Sequence, residues 1–199
     1  MVRRYDAFNW KNLMQVETTK KLFTVADYYR MAEAGILKPE DRVELIDGEI
    51  IEMSPIGDRH AGCVNRATRL FISALGNRVV VSVQNPLQLN NYTEPEPDIV
   101  LLKPRTDDYA SKKAMAEDAI LVLEVAETTL RYDRDVKLPR YAAAGVPEVW
   151  IENVKREVLL VYRYPSGGAY ATALEVRRGE SISPAALPDV IFAVEQLLI

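Results

Sequence analysis

The run Tyr92–Leu102, YTEPEPDIVLL, leaves the backbone little choice. Proline fixes φ near about −65° and removes an amide donor, so the segment carrying Pro95 and Pro97 is extended and cannot be helical. The four apolar residues that follow read as a buried strand. Asp98 therefore stands where a rigid lead-in enters the hydrophobic interior. A second acid sits deeper in apolar sequence: Glu124 lies inside AILVLEVA, Ala119–Ala126. An unpaired ionised carboxylate there is costly, so Glu124 must be paired, protonated or bound to a cation. The two acids are 124 − 98 = 26 residues apart, enough for a loop and a return strand beside the first. Two carboxylates on neighbouring strands can grip one divalent cation, and oxygen ligands of this kind suit Mg²⁺ or Mn²⁺.

The surrounding sequence supplies a scaffold. TVADYYRMAEAG reads as a helix capped by Thr24, with Asp27 completing a capping box and Gly35 stopping it. RVELIDGEIIEM is a hairpin around Asp47-Gly48. Asp58–Leu75 places Val64, Ala67, Leu70, Phe71 and Leu75 on one helical face. Strands are expected at RVVVSVQ, DIVLLK, AILVLEVA, PEVWIENV and EVLLVYRY, with PSGG turning into AYATALEV. A helix is expected over 132–144, closed by Gly145, and the C-terminal PDVIFAVEQLLI reads as a strand or short helix packing onto the core. The order predicts an α/β fold, a mixed central β-sheet flanked by α-helices. Residues 1–20 show no clear period and are expected to form a tail or arm, with one domain over 21–199.

The helical segment adds a cation. Asp133, Lys137 and Tyr141 recur at i, i+4 and i+8, on one helix face. Pro139 lies within that span, so the helix must begin near it or bend there. A lysine aimed at the acids could position a water or stabilise charge developing at a phosphate.

Composition excludes other classes. Of the 199 residues 48% are hydrophobic and 27% charged, ordinary for a globular chain, and no apolar run reaches membrane-spanning length. A single cysteine, Cys63, rules out an internal disulfide; with one histidine, it leaves too few ligands for a zinc cluster. Cys63 reads as an inert packing residue, and a cytoplasmic location is expected. The net charge of −4 does not announce a nucleic-acid binder, but phosphate attraction depends on local clustering, and RYDRDVKLPR is locally basic. A Gly-rich phosphate loop and a G-x-S-x-G elbow are both missing from the sequence.

Pro97-Asp98, then a strand with Glu124, then a nearby lysine resembles the PD-(D/E)XK nuclease superfamily. The longer string LEVAETTLRYDRDVKLPRYAAAGVPEVWIEN, with VELIDGEIIEMSP and His60 upstream, resembles the Uma family of restriction-endonuclease-like proteins within it. The likeness runs from about Phe23 to Arg163. It implies a restriction-endonuclease-like core with Asp98 and Glu124 as metal ligands and the Val125 backbone carbonyl as a third. It implies Lys137 as the catalytic lysine, shifted to the following helix because Ala126 stands two residues after Glu124. Glu44 matches an acid that completes such a site, and Gln84 a polar position on the preceding strand; His60, Asp133 and Tyr141 are supporting residues. A homodimer is implied because cleavage of both strands by this fold commonly uses one site per subunit.

Simpler roles stand beside each of these. Asp98 could begin a strand as a turn residue. Glu124 could be a buried ion pair, Glu44 a solvent-facing strand residue, Lys137 a surface lysine and His60 a cap. Asp133 could be a helix cap and Tyr141 a core aromatic. The expected function is a Mg²⁺- or Mn²⁺-dependent phosphodiester hydrolase, a DNA endonuclease. The alternatives are an inactive nuclease-fold binding module and a phosphoesterase acting on a small nucleotide.

Overall fold

The computed structural model describes residues 19–38 and 40–198. The expected N-terminal tail lies, through residue 18, outside the described residues. Helix α1, Val25–Glu33, starts as the sequence predicts: Thr24 Oγ1 accepts from the Asp27 amide at 3.1 Å, and the Thr24 amide donates to Asp27 Oδ2 at 3.0 Å. Strands β1, Val43–Ile46, and β2, Glu49–Glu52, pair as an antiparallel hairpin. Its two turn residues, Asp47 and Gly48, have φ of 51° and 76°, a conformation that favours Asp-Gly. Gly48 has a second reason to be glycine, since a Cβ there would stand 2.7 Å from Leu22 Cβ.

The Pro-rich lead-in holds this hairpin. The Glu94 amide donates to the Leu45 carbonyl at 2.7 Å, and the Gly48 amide donates to the Tyr92 carbonyl at 2.7 Å. The extended segment entering the Asp98 strand therefore also carries β1, and with it Glu44, to the same place.

Beyond the hairpin runs α2, Asp58–Leu75. A six-stranded sheet follows in the order β3 (Val80–Val83), β4 (Ile99–Leu102), β5 (Ala119–Ala126), β6 (Glu148–Asn153), β7 (Val158–Ser166) and β8 (Ala169–Arg177). All neighbours are antiparallel except β5 and β6, which run parallel. The sheet is thus mixed, as expected. A parallel pair needs a helical crossover, and residues 130–143 supply it.

The helix expected over 132–144, which Pro139 required to begin near it or to bend, is found as a broken crossover. It divides into α3, Leu130–Tyr132, a π-helical turn at Asp133–Lys137, and α4, Leu138–Ala143. The Leu138 amide donates to the Asp133 carbonyl, five residues back, and Pro139 falls in the first turn of α4, where its missing donor costs nothing. Gly145, at φ 79°, ends the helix.

Two apolar layers close the sheet. On one face α2 contributes Cys63, Val64, Ala67, Phe71 and Leu75 against Leu123, Val125 and Trp150; on the other, Leu138 and Tyr141 pack on Val122, Val149 and Ile151. The C-terminal segment is both strand and short helix: β9, Ser181–Ile182, pairs with β10, Phe192–Ala193, and a 3-10 turn spans Val194–Gln196. The Phe192 ring lies 5.4 Å from Phe71 and 6.4 Å from Trp150, centroid to centroid.

One buried acid stands without support. Glu152, 1% exposed, shares the α2 face with its register partner Val125, and neither carboxylate oxygen has a hydrogen-bond partner among the described residues. Burial pushes its carboxyl up to about 7, offset in part by the Cys63 thiol and by the charges of Arg66, His60 and Arg59. The unfolded chain releases this proton near the ordinary 4.5, whereas the folded chain holds it to about 7. Stability from this group is therefore full below the lower value and is lost as pH rises through that window. Glu152→Gln should flatten the slope and stabilise the protein at pH 8 by about 2 kcal/mol, read from urea melts across pH.

Candidate active site

Asp98 closes the lead-in immediately before β4, and Glu124 lies on the adjacent strand β5. The Asp98 amide approaches Glu124 Oε2 at 3.4 Å, which fixes the two acids side by side. Asp98 Oδ2 accepts from the Val125 amide at 2.8 Å. Its Oδ1 lies 2.8 Å from His60 Nε2 and accepts from Gln84 Nε2 at 3.3 Å. Asp98 is thus held from three elements and is more than a turn residue. His60 sits on the first turn of α2 facing the acid, and that bond raises the imidazole pKa.

Gln84 adopts φ of 49°, unusual for a residue with a side chain. Its amide donates to the Asp98 carbonyl at 3.0 Å while its side chain reaches the carboxylate. Strain of this kind persists where surrounding contacts over-determine it.

Lys137 supplies the ion pair that Glu124 requires. Its Nζ lies 3.3 Å from Glu124 Oε1 and 3.2 Å from Glu44 Oε2, with Lys137 only 6% exposed. The surface placement considered for it does not occur, because the π turn points it inward. Tyr141 donates from its hydroxyl to Glu124 Oε1 at 2.6 Å. Burial drives the Glu124 carboxyl upward against the pull of Lys137. Burial also opposes the Lys137 charge, but Glu124 and Glu44 outweigh it and raise the ammonium pKa.

Glu44 is buried, not solvent-facing. Alternation does turn it away from Val43 and Leu45, yet that side is covered. Its Oε1 accepts from the Tyr132 hydroxyl at 2.9 Å and its Oε2 from the Glu96 amide at 3.0 Å. Asp133 opens the π turn, with Oδ2 accepting from Thr129 Oγ1 at 2.6 Å, and burial pushes it up to about 6. Tyr132, Glu96 and Glu127 also border the site. The sequence marks them only by adjacency, Tyr132 beside Asp133 and Glu96 within the Pro-rich run.

All the residues singled out from sequence, apart from Tyr141 behind Glu124 and the Val125 backbone, line one cavity of about 390 Å³. Seven acids border it (Glu44, Glu52, Glu96, Asp98, Glu124, Glu127 and Asp133) against Arg42, Lys137 and His60. Among the described residues no three of His, Cys, Asp and Glu are grouped so as to hold a metal ion alone. The donor set still fits Mg²⁺ or Mn²⁺, which keep several waters and take only one or two carboxylates. Glu124 Oε2 and Asp98 Oδ2, each accepting from a single amide, keep a lone pair for that role, whereas Glu124 Oε1 is committed to Lys137 and Tyr141 and Asp98 Oδ1 to His60 and Gln84.

Removing the lysine isolates the acids. Lys137→Met in metal-free buffer should cost about 3 kcal/mol at pH 8, because Glu44 and Glu124 are left as buried unpaired charges. The loss should shrink towards pH 5 as Glu124 takes up a proton, a trend chemical denaturation can follow.

The six-stranded mixed sheet flanked by helices is a restriction-endonuclease-like core. The chain belongs to the Uma2 family, whose model, described as "Putative restriction endonuclease", matches residues 25–195. Among solved structures it is similar to a "putative nuclease belonging to DUF820" from Anabaena variabilis, with TM-score 0.68 and 13% identity over 88% of this chain and 97% of that one. At that identity the likeness speaks for the fold. No curated protein matches. Family and fold together support a nuclease-type, hydrolytic function on nucleic acid. No helix among the described residues is long and apolar enough to cross a membrane.

Proposed function

We propose that the protein is a metal-dependent phosphodiester hydrolase, an endonuclease acting on DNA. One observation carries this reading: Asp98, Glu124 and Lys137, from three separate segments, converge at a single acid-rich cavity. Asp98 and Glu124 would hold Mg²⁺ or Mn²⁺, with the Val125 carbonyl as the third protein ligand. When bound, such a cation polarises a phosphate and lowers the pKa of a water. His60, Gln84 and the Val125 amide keep Asp98 in a fixed orientation, so ligation needs little reorganisation. Tyr141 holds Glu124, and Lys137 places a positive charge where a phosphate arrives. Glu44 and Glu124 hold that ammonium in place and, with Asp133, keep it charged.

Residues 21–199 form one domain on this reading, acting in the cytoplasm as a homodimer with one site per subunit. Calorimetric titration with Mn²⁺ tests the metal role. Wild type should bind, and Asp98→Asn and Glu124→Gln should each weaken binding by roughly ten-fold or more. Equal affinity in both variants would place the cation elsewhere.

A further inference from the structure

An acid-rich cavity repels phosphates unless some of its positive charge stands free. Three basic side chains line this one: Lys137, His60 and Arg42. Lys137 lies between Glu44 and Glu124, at 3.2 and 3.3 Å, and His60 faces Asp98 at 2.8 Å. Both are matched by acids within the protein. Arg42 differs. Among the described residues no carboxylate pairs with it, and its side chain donates from Nη1 to the Ser54 carbonyl at 3.1 Å. Glu52, opposite Val43 in the hairpin, and Glu96 border the same cavity without closing on the guanidinium.

The hairpin sets where Arg42 stands. It immediately precedes β1 and lies two residues before Glu44; side chains alternate along a strand, so the two share the face turned to the cavity. Glu44 is buried at the floor, where it meets Lys137, and Lys137 meets Glu124. Arg42 is half-buried, so it lies nearer the mouth, two strand residues or about 6.6 Å along the backbone from that floor. That step is close to the spacing of successive phosphates along one nucleic-acid strand. The Ser54 bond fixes the guanidinium by one nitrogen. Nε and Nη2 keep their donors, and such a fork suits two phosphate oxygens.

We propose that Arg42 binds a phosphate of the substrate strand, the one next to the phosphate held at Asp98 and Glu124. Such a contact sets the register of the strand and carries no sequence preference. This rests on the nuclease reading and gives its site a second phosphate position.

The test measures binding of one fluorescent DNA, with Mg²⁺, by the full chain carrying Asp98→Asn to suppress cutting, as salt rises from about 50 to 200 mM. Adding Arg42→Gln should weaken binding about ten-fold at the lowest salt. It should also lower the slope of log affinity against log salt by about 0.9 for a duplex or about 0.7 for a single strand, the loss of one phosphate contact. Arg42→Lys keeps the charge and should keep the slope. In the otherwise wild-type chain Arg42→Gln should raise KM with kcat nearly unchanged, and Mn²⁺ affinity should not fall. The substrate offers the same test without touching the fold. An uncharged methylphosphonate beside the cleaved linkage should lower kcat/KM of wild type about ten-fold and that of Arg42→Gln no further. An unchanged slope in Arg42→Gln, or losses from the two changes that simply add, would overturn the inference and leave the nuclease reading standing. No DNA binding at any salt, with no metal-dependent cleavage by wild type, would overturn the nuclease reading, and the inference with it.

Discussion

Glu148→Ala is expected to lower stability by about 4 kcal/mol, and the melting temperature by roughly 10 °C. Glu148, the first residue of β6, is 1% exposed, and its carboxylate gathers three donors. Oε1 accepts from Trp150 Nε1 and Arg163 Nε, both at 2.7 Å, and Oε2 accepts from the Ala185 amide at 2.6 Å. Arg163 in turn donates to the Ser183 carbonyl. The carboxylate thus ties β6 and β7 to the C-terminal segment. Alanine would leave a guanidinium with no anion, an indole with no acceptor, and an amide with none. Each orphaned donor costs more than an exposed ion pair contributes. Against a typical total of about 5–15 kcal/mol, this is a large share. A loss below about 1 kcal/mol by urea denaturation would show that the carboxylate does not hold the segment.

Asp98→Asn and Glu124→Gln should each reduce metal-dependent cleavage by roughly 10³-fold, about 4 kcal/mol of lost transition-state stabilisation. The substitutions are isosteric, so the fold should persist. Glu124→Gln leaves buried Lys137 with Glu44 as its anion, so the stability of each variant is measured beside its activity. A loss of activity without a loss of stability separates a reacting-site role from a structural one. If both variants cut like wild type, the catalytic role would belong to other groups.

The sequence and the structure agree where local rules decide the outcome. Thr24 and Asp27 form their capping box, Asp47-Gly48 makes the turn, and Asp98 and Glu124 fall on paired strands because apolar runs and prolines leave few other choices. Pro139 signals a helix that begins near it or bends there, although not that a π turn makes the bend. What local pattern could not show depends on tertiary cover. Glu44 reads as exposed until the crossover segment lies over it. His60 was marked only by resemblance, since the helix face it uses is chosen by Asp98, 38 residues away. Glu148 and Glu152 look alike in PEVWIENV, each two residues from Trp150, yet Glu148 gathers three donors and Glu152 none; two of the three, Arg163 and the Ala185 amide, lie 15 and 37 residues away.

Asp98 and Glu124 are proposed to form a metal-dependent hydrolytic site. Its most direct test is cleavage of supercoiled plasmid and of single-stranded DNA with Mg²⁺ or Mn²⁺, wild type beside Asp98→Asn and Glu124→Gln, each with a chelator control. Wild type should cut only when the metal is present, and neither variant should cut. Cleavage that persists in both variants, or proceeds unchanged with the metal removed, would contradict it.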